Sequence, residues 1–334
     1  MGTASLALFL LLPVLDPGAV QGEVIQDLNN CSWFFQGKTP PQGFDTQNRI
    51  KICQRYKNHY HFVTLYRTDL RIPVYSAYRY PCTMGVDKKR RPSPWFYEPQ
   101  IDDPRASMEM ISSNGTSSGN QAVDTDYQRS GYDRGHLYPF SFNSNDSATA
   151  TTTLTNAVPQ KHKANENWAE EAESIVRKLA VECHRSGRSM YVVTGSANST
   201  NIKLKNKIVV PEVAWTALCC TSPPDQNNDP CLNNNLQSER ENVMMYNKDF
   251  SAAFRKRMMP EETTVRLTVR ELQEQLGVVK MFESCRGTSA DDEAETFKEV
   301  TMLIAQNRGD SVSKWSWVFA VVYCLLSELG LKWF

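Results

Sequence analysis

The chain has 334 residues, 40% of them hydrophobic, with 37 Lys+Arg against 37 Asp+Glu. That hydrophobic content supports a buried core, in one large domain or two small ones, and excludes a disordered chain. The charge balance excludes a global field able to draw in a polyanion or polycation, so any such partner must be held by local patches.

In chain order, a compact apolar run from Leu6 to Leu12 ends at Pro13 and Pro17, and the small residues Val20 and Gly22 precede Glu23. The run is too short to span a bilayer, and the pattern predicts a secretory signal over residues 1–22. Secretion predicts oxidised cysteines. Eight of the nine precede the C-terminal tail, which allows 105 pairings that sequence cannot sort. Four Asn-x-Ser/Thr sequons, at Asn30, Asn114, Asn145 and Asn198, fit an extracellular glycoprotein.

Beyond the Pro- and Gly-rich segment near "GKTPPQGF", His59 to Tyr66 and Ile72 to Tyr80 are rich in aromatic and β-branched residues. The short link Arg67 to Arg71 joins them as a hairpin. His59 and His61 share one strand face, and without an evident third ligand they read as structural. Lys88 to Arg91 is the densest cationic run, either a solvated loop or a phosphate contact, and "SSNGTSSGNQ" is a surface loop.

Trp168, Ala172, Ile175, Val176 and Leu179 recur at helical spacing, which predicts a helix from Asn165 to about His184. Met190 to Ala197 and Lys207 to Cys220 read as buried strands, and Thr268 to Leu276 as a short helix closed by Gly277. Composition turns polar and acidic from Gly287, so the core domain covers 23–287 and a polar linker with a hydrophobic tail covers 288–334. The apolar stretch Trp315 to Leu326 is short for a spanning helix. It reads either as an amphipathic tail or as a removable lipid-anchor signal with its attachment region near Gly309 to Ser313, and it makes membrane association through the tail an expectation.

The chemistry concentrates in "YDRGHLYPF", where Asp133, Arg134, Gly135 and His136 stand side by side. Histidine is a base near neutral pH, an arginine neutralises phosphate, and glycine lets the backbone approach closely. Downstream, "LTNAVPQKHKANENWAEE" supplies Asn156, Pro159, Gln160, Asn165 and Trp168. Together the two segments resemble the signature of the DNA/RNA non-specific endonuclease family, Asp-Arg-Gly-His followed by Asn-x-x-Pro-Gln-x-x-x-x-Asn-x-x-Trp. Every fixed position is filled.

The resemblance implies an α+β fold, a ββα-metal nuclease with a central mixed or antiparallel sheet flanked by helices. In that fold His136 lies on the strand side and Asn156 enters from the helical side. It further implies His136 as general base and Asn156 as the direct ligand of one divalent ion, Mg²⁺ or else Mn²⁺ or another divalent ion, whose remaining shell is mainly water. Asp133, Gly135 and Asn165 would support the site, and Arg134 would act on phosphate. Glu171 would hold metal-bound water, with Glu166, Glu170 and Glu173 as competitors. Arg91 would steady the transition state, with Arg105 as the alternative.

A phosphodiester resists attack by another anion, so a base for water and positive charge at phosphorus are both required. The substrates implied are DNA and RNA with low sequence specificity, because phosphate and metal contacts carry no base information. The competing expectation is a nuclease fold kept as an extracellular binding protein, which the sequons and the lack of a basic surplus favour. Oligomeric state is not legible in the sequence.

Overall fold

The computed structural model describes residues 24–25, 27–44, 47–82, 95–114, 118–222 and 249–285. The N-terminal apolar run, the cationic run Lys88 to Arg91 and the C-terminal tail lie outside the described residues. The strands, in chain order, are β1 (Val24–Ile25), β2 (Arg49–Tyr56), β3 (His59–Arg67), β4 (Ile72–Arg79), β5 (Phe96–Tyr97), β6 (Ile111–Ser112), β7 (Asp133–His136), β8 (Ala157–Gln160), β9 (Ser189–Leu204), β10 (Ile208–Thr221), β11 (Phe250–Arg257) and β12 (Val265–Leu267). The helices used below are α1 (Asp124–Tyr127), α2 (Asn145–Ala150), α3 (His162–Trp168), α4 (Ser174–Arg185) and a last helix, Val269–Leu276.

Eight strands form one sheet in the order β1-β2-β3-β4-β9-β10-β11-β12, every neighbouring pair antiparallel. β3 and β4 form the expected hairpin, with Val63 opposite Ala77 and Thr64 opposite Ser76. The period of two assigns β10 residues alternately to two cores. Ala214, Leu218 and Cys220 pack with Trp168, Val176 and Leu179 on one face. Val213, Trp215, Ala217 and Cys219 pack with Phe34, Phe44 and Leu272 on the other.

The sheet is therefore the middle layer of an α+β domain, buried on both sides. A disulfide stitches each outer layer to it: Cys220 joins Cys183 of α4, and Cys219 joins Cys285. Adjacent cysteines reach opposite layers because adjacent strand residues point to opposite faces. Cys31–Cys53 ties the N-terminal turns to β2.

The predicted long helix begins at His162 rather than Asn165, and one π-helical segment, Ala169–Glu173, separates α3 from α4. The last helix matches its expected punctuation: Thr268 and Glu271 form a reciprocal cap, and Gly277 closes it at φ 65°. His59 and His61 bear out the structural reading for the partly buried His61, whose Nδ1 and Nε2 lie 3.0 Å from Ser147 Oγ and the Tyr56 carbonyl.

Candidate active site

The β7–β8 hairpin, whose long connection carries α2, packs against the sheet through β10 and β4, and β8 runs directly into α3, so two paired strands and a helix gather the motif residues. Its register sets Asp133 opposite Gln160 and His136 opposite Ala157. The Gln160 side chain crosses Gly135 so closely that a Cβ there would sit 2.1 Å from Gln160 Oε1. Glycine is required here by close approach, and its role is to let the hairpin close on a buried amide.

Alternation along β7 sends Asp133 and Arg134 to opposite sides. On one side, Asp133 Oδ2 accepts hydrogen bonds from His162 Nδ1 at 2.8 Å and Asn165 Nδ2 at 3.3 Å. Both donors sit on α3, so Asp133 binds the hairpin to the helix. The carboxylate raises the pKa of the exposed His162 above the ordinary imidazole value. On the other side, Arg134 lies 5.6 Å from the ring of Trp95 and 5.1 Å from that of Tyr127, and it pairs with Asp124 at 2.8 Å. Trp95 also packs on His136, with ring centroids 4.6 Å apart. Asp124 accepts from the Trp95 backbone N–H at 3.3 Å, so one carboxylate of α1 anchors both neighbours of the histidine.

Arg134 is therefore held in an aromatic clamp with its charge already balanced, and it braces Trp95, which packs on His136. The histidine is 8% exposed, fixed against that indole wall.

The two motif asparagines occupy very different environments. Asn156 lies in the tight turn Leu154–Asn156 before β8, on the strand side rather than the helical side expected for it. It is 0% exposed. Its Oδ1 accepts from Ser76 Oγ at 2.8 Å and the Tyr138 N–H at 2.9 Å, while Nδ2 donates to the Thr151 and Tyr138 carbonyls at 2.8 and 3.0 Å. With both oxygen lone pairs and both protons used, this amide fastens the turn to the sheet, and its geometry does not fit a direct metal ligand.

The turn is held further by Gln54, which donates to Thr64 and Thr155 at 3.0 and 2.7 Å, and by Glu98, which accepts from Thr153 at 2.9 Å. Asn165 is half-buried on α3. Its Nδ2 is spent on Asp133, and no hydrogen bond reaches its Oδ1 among the described residues. That leaves one hard oxygen donor of the kind Mg²⁺ takes while keeping most of its water.

Glu171 also departs from its expected place. One oxygen, Oε2, takes Lys256 Nζ at 2.9 Å, the Thr264 hydroxyl at 2.6 Å and the Thr264 N–H at 3.1 Å. Those bonds, Thr264 first and Lys256 next, lower its pKa. A carboxylate already sharing its oxygen with a buried ammonium serves to clasp the π-segment to β11, and it does not fit a metal-water site. Lys256, 1% exposed, also faces Glu261 at 3.2 Å, which in turn accepts from Asn167 at 2.7 Å. Of the competitors, Glu166 is drawn to His162 and Lys163.

Arg91 lies outside the described residues. Arg105 is exposed and, among the described residues, pairs with its neighbour Asp103. Among the described residues no group of three or more His, Cys, Asp or Glu is placed to hold a metal. Sequence reasoning missed Trp95, Asp124 and Lys256. Only "PWFYEPQ" carried a signal, through the position of Trp95 in a motif-like segment.

The family model for DNA/RNA non-specific endonucleases matches residues 39–288, a span enclosing both motif segments. The chain is similar to the Endonuclease domain-containing 1 protein of Homo sapiens, 40% identical over 235 residues, covering 67% of this chain and 46% of that protein. A nuclease of Nostoc sp. is 29% identical over 135 residues, 35% of this chain and 48% of that protein. The chain thus spans about half the length of the curated relatives it matches. A chain from the crystal structure of the EndoG/EndoGI complex aligns with a TM-score of 0.44 and 15% identity, covering 69% of this chain and 86% of that one.

Proposed function

Because the chain belongs to the DNA/RNA non-specific endonuclease family, we propose that it hydrolyses phosphodiester bonds of DNA and RNA with little base preference. In this reading His136 is the general base and a divalent ion, Mg²⁺ in the first instance, is held by Asn165. The observation that carries the proposal is the three-part hairpin–helix unit. It fixes His136 by Trp95 and, through Asp133, turns the Asn165 amide so that its nitrogen is occupied and its oxygen is not.

His136 would take a proton from the attacking water, and its imidazole is held by packing in one orientation for that transfer. Asp133 orients the asparagine. Asn156 keeps the turn before β8 in place, so that the strand bearing His136 and the helix bearing Asn165 stay joined. When bound, the ion would supply positive charge against the developing phosphorane and the leaving oxygen. Three disulfides within the described fold support an oxidising, secretory route for the protein.

A second reading, a nuclease-fold binding protein, is favoured by one observation: Arg134 has its charge spent on Asp124 inside the aromatic clamp. One experiment separates the two. Plasmid DNA and RNA are incubated with the purified full chain in Mg²⁺ or EDTA, beside His136→Ala and Asn165→Ala. Metal-dependent cutting abolished in both variants supports the enzyme. A folded protein that cuts neither substrate with Mg²⁺ or Mn²⁺ supports the binding protein.

A further inference from the structure

On the sheet face opposite the hairpin–helix unit lies a cavity of about 200 Å³. Its floor is aromatic: Phe44 stacks on Trp215 with centroids 5.9 Å apart and planes 16° from parallel. Val74 and Leu276 supply apolar wall, and Arg67 and Asn198 stand among the lining. Nothing in the nuclease chemistry uses this space. Trp215 is fully buried beneath it, and its indole N–H has no hydrogen-bond partner among the described residues.

Asn198 begins the sequon Asn198-Ser199-Thr200. All four sequon asparagines are exposed, but Asn198 alone among them lines the cavity. It sits at φ 53° between the paired residues Ala197 and Ser199, just before the β-bulge that separates Pro211 opposite Ser199 from Val209 opposite Lys203. Its side-chain amide makes no hydrogen bond to the described residues, whereas the sequon threonine is tied to the Val210 carbonyl at 2.8 Å. The disulfides connecting both outer layers to the sheet require an oxidising compartment, the one in which Asn-x-Thr is glycosylated.

We propose that Asn198 carries an N-linked glycan and that its first N-acetylhexosamine folds back into this cavity. The sugar offers apolar ring faces to the partly exposed Leu276 and Val278 of the wall, and an acetamido carbonyl and hydroxyls as acceptors to the polar part of the lining, which includes Arg67. The covalent link makes the ligand's local concentration high, so modest contacts suffice to seat it.

The test uses the full chain secreted from mammalian cells and does not depend on nuclease activity. Glycopeptide mass spectrometry reads occupancy at Asn198. Endoglycosidase release is then timed at Asn198 and Asn114 in native and denatured protein, and the melting temperatures of Asn198→Gln and Asn114→Gln are compared. The expected result is an occupied Asn198 whose glycan leaves several-fold more slowly from native protein than from denatured protein, with a lower Tm for Asn198→Gln only. An unmodified Asn198 overturns the site. An occupied Asn198 released as readily from native as from denatured protein overturns the seating, whether or not the glutamine variant folds.

Discussion

Replacing Lys256 by methionine removes the cation that Glu171 and Glu261 share while roughly keeping its volume. Lys256 is 1% exposed, whereas the two carboxylates are 37% and 32% exposed, so water can partly re-solvate them. Taking one partner from a fully buried pair costs about 3–5 kcal/mol. An exposed pair is worth about 0.2–1 kcal/mol. The mixed burial, and the bonds that Thr264 and Asn167 keep to the carboxylates, place Lys256→Met at a loss of about 1–2 kcal/mol between those limits.

For a domain of this size that is a fall of roughly 2–8 °C in Tm, read by calorimetry or urea unfolding. The acid side should change too. Glu171 has its folded pKa below the ordinary 4.5, so its contribution is present above that value and lost as pH falls through the depressed one. Without Lys256 one of the two main causes disappears, and the acid loss begins nearer 4.5. Adding Glu171→Gln and Glu261→Gln to Lys256→Met should recover part of the stability, because no uncompensated carboxylate then remains. A single variant as stable as the parent, with an unmoved acid limb, would refute the clasp.

Asn156→Ala should cost about 2–4 kcal/mol by orphaning the Tyr138 N–H and the Thr151 carbonyl in a dry interior, whereas Asn165→Ala should cost about 1 kcal/mol or less; paired denaturation curves separate a fastening residue from an open one. Gly135→Ala should lose about 1–3 kcal/mol to the clash with buried Gln160, and Gln160→Ala in the same chain should relieve most of it, giving a large coupling in a double-mutant cycle. The His162 titration, followed by NMR, should show a pKa above 6.5 that falls toward it in Asp133→Asn. Because the folded value is the raised one, the contact stabilises below the unfolded pKa and is lost as pH rises through the folded one.

The β3–β4 hairpin and the last helix were legible because their signals are local: aromatic alternation with a short link, and a cap with a closing glycine. β2 escaped notice because "RIKICQRY" mixes Lys51, Gln54 and Arg55 among its apolar positions, and Gln54 is buried for a polar task that only the fold reveals. The π-segment is silent in sequence, since Ala169 to Glu173 are ordinary helix formers and the period runs on around them. The motif identified both asparagines, yet their division of labour depends on Ser76, 80 positions away. Glu171, expected to hold metal-bound water, is met instead by Lys256, 85 positions later. Spacing along the chain names the residues of such a site, and contacts across the sheet decide which atoms remain available.

Cys219 and Cys220 send neighbouring thiols to opposite faces of one strand. A slip of β10 by a single residue would swap those faces and set each thiol against the wrong layer. The two bridges can therefore close together only in the native pairing. Once both native bridges are closed, the central strand is held in one alignment from both sides of the sheet.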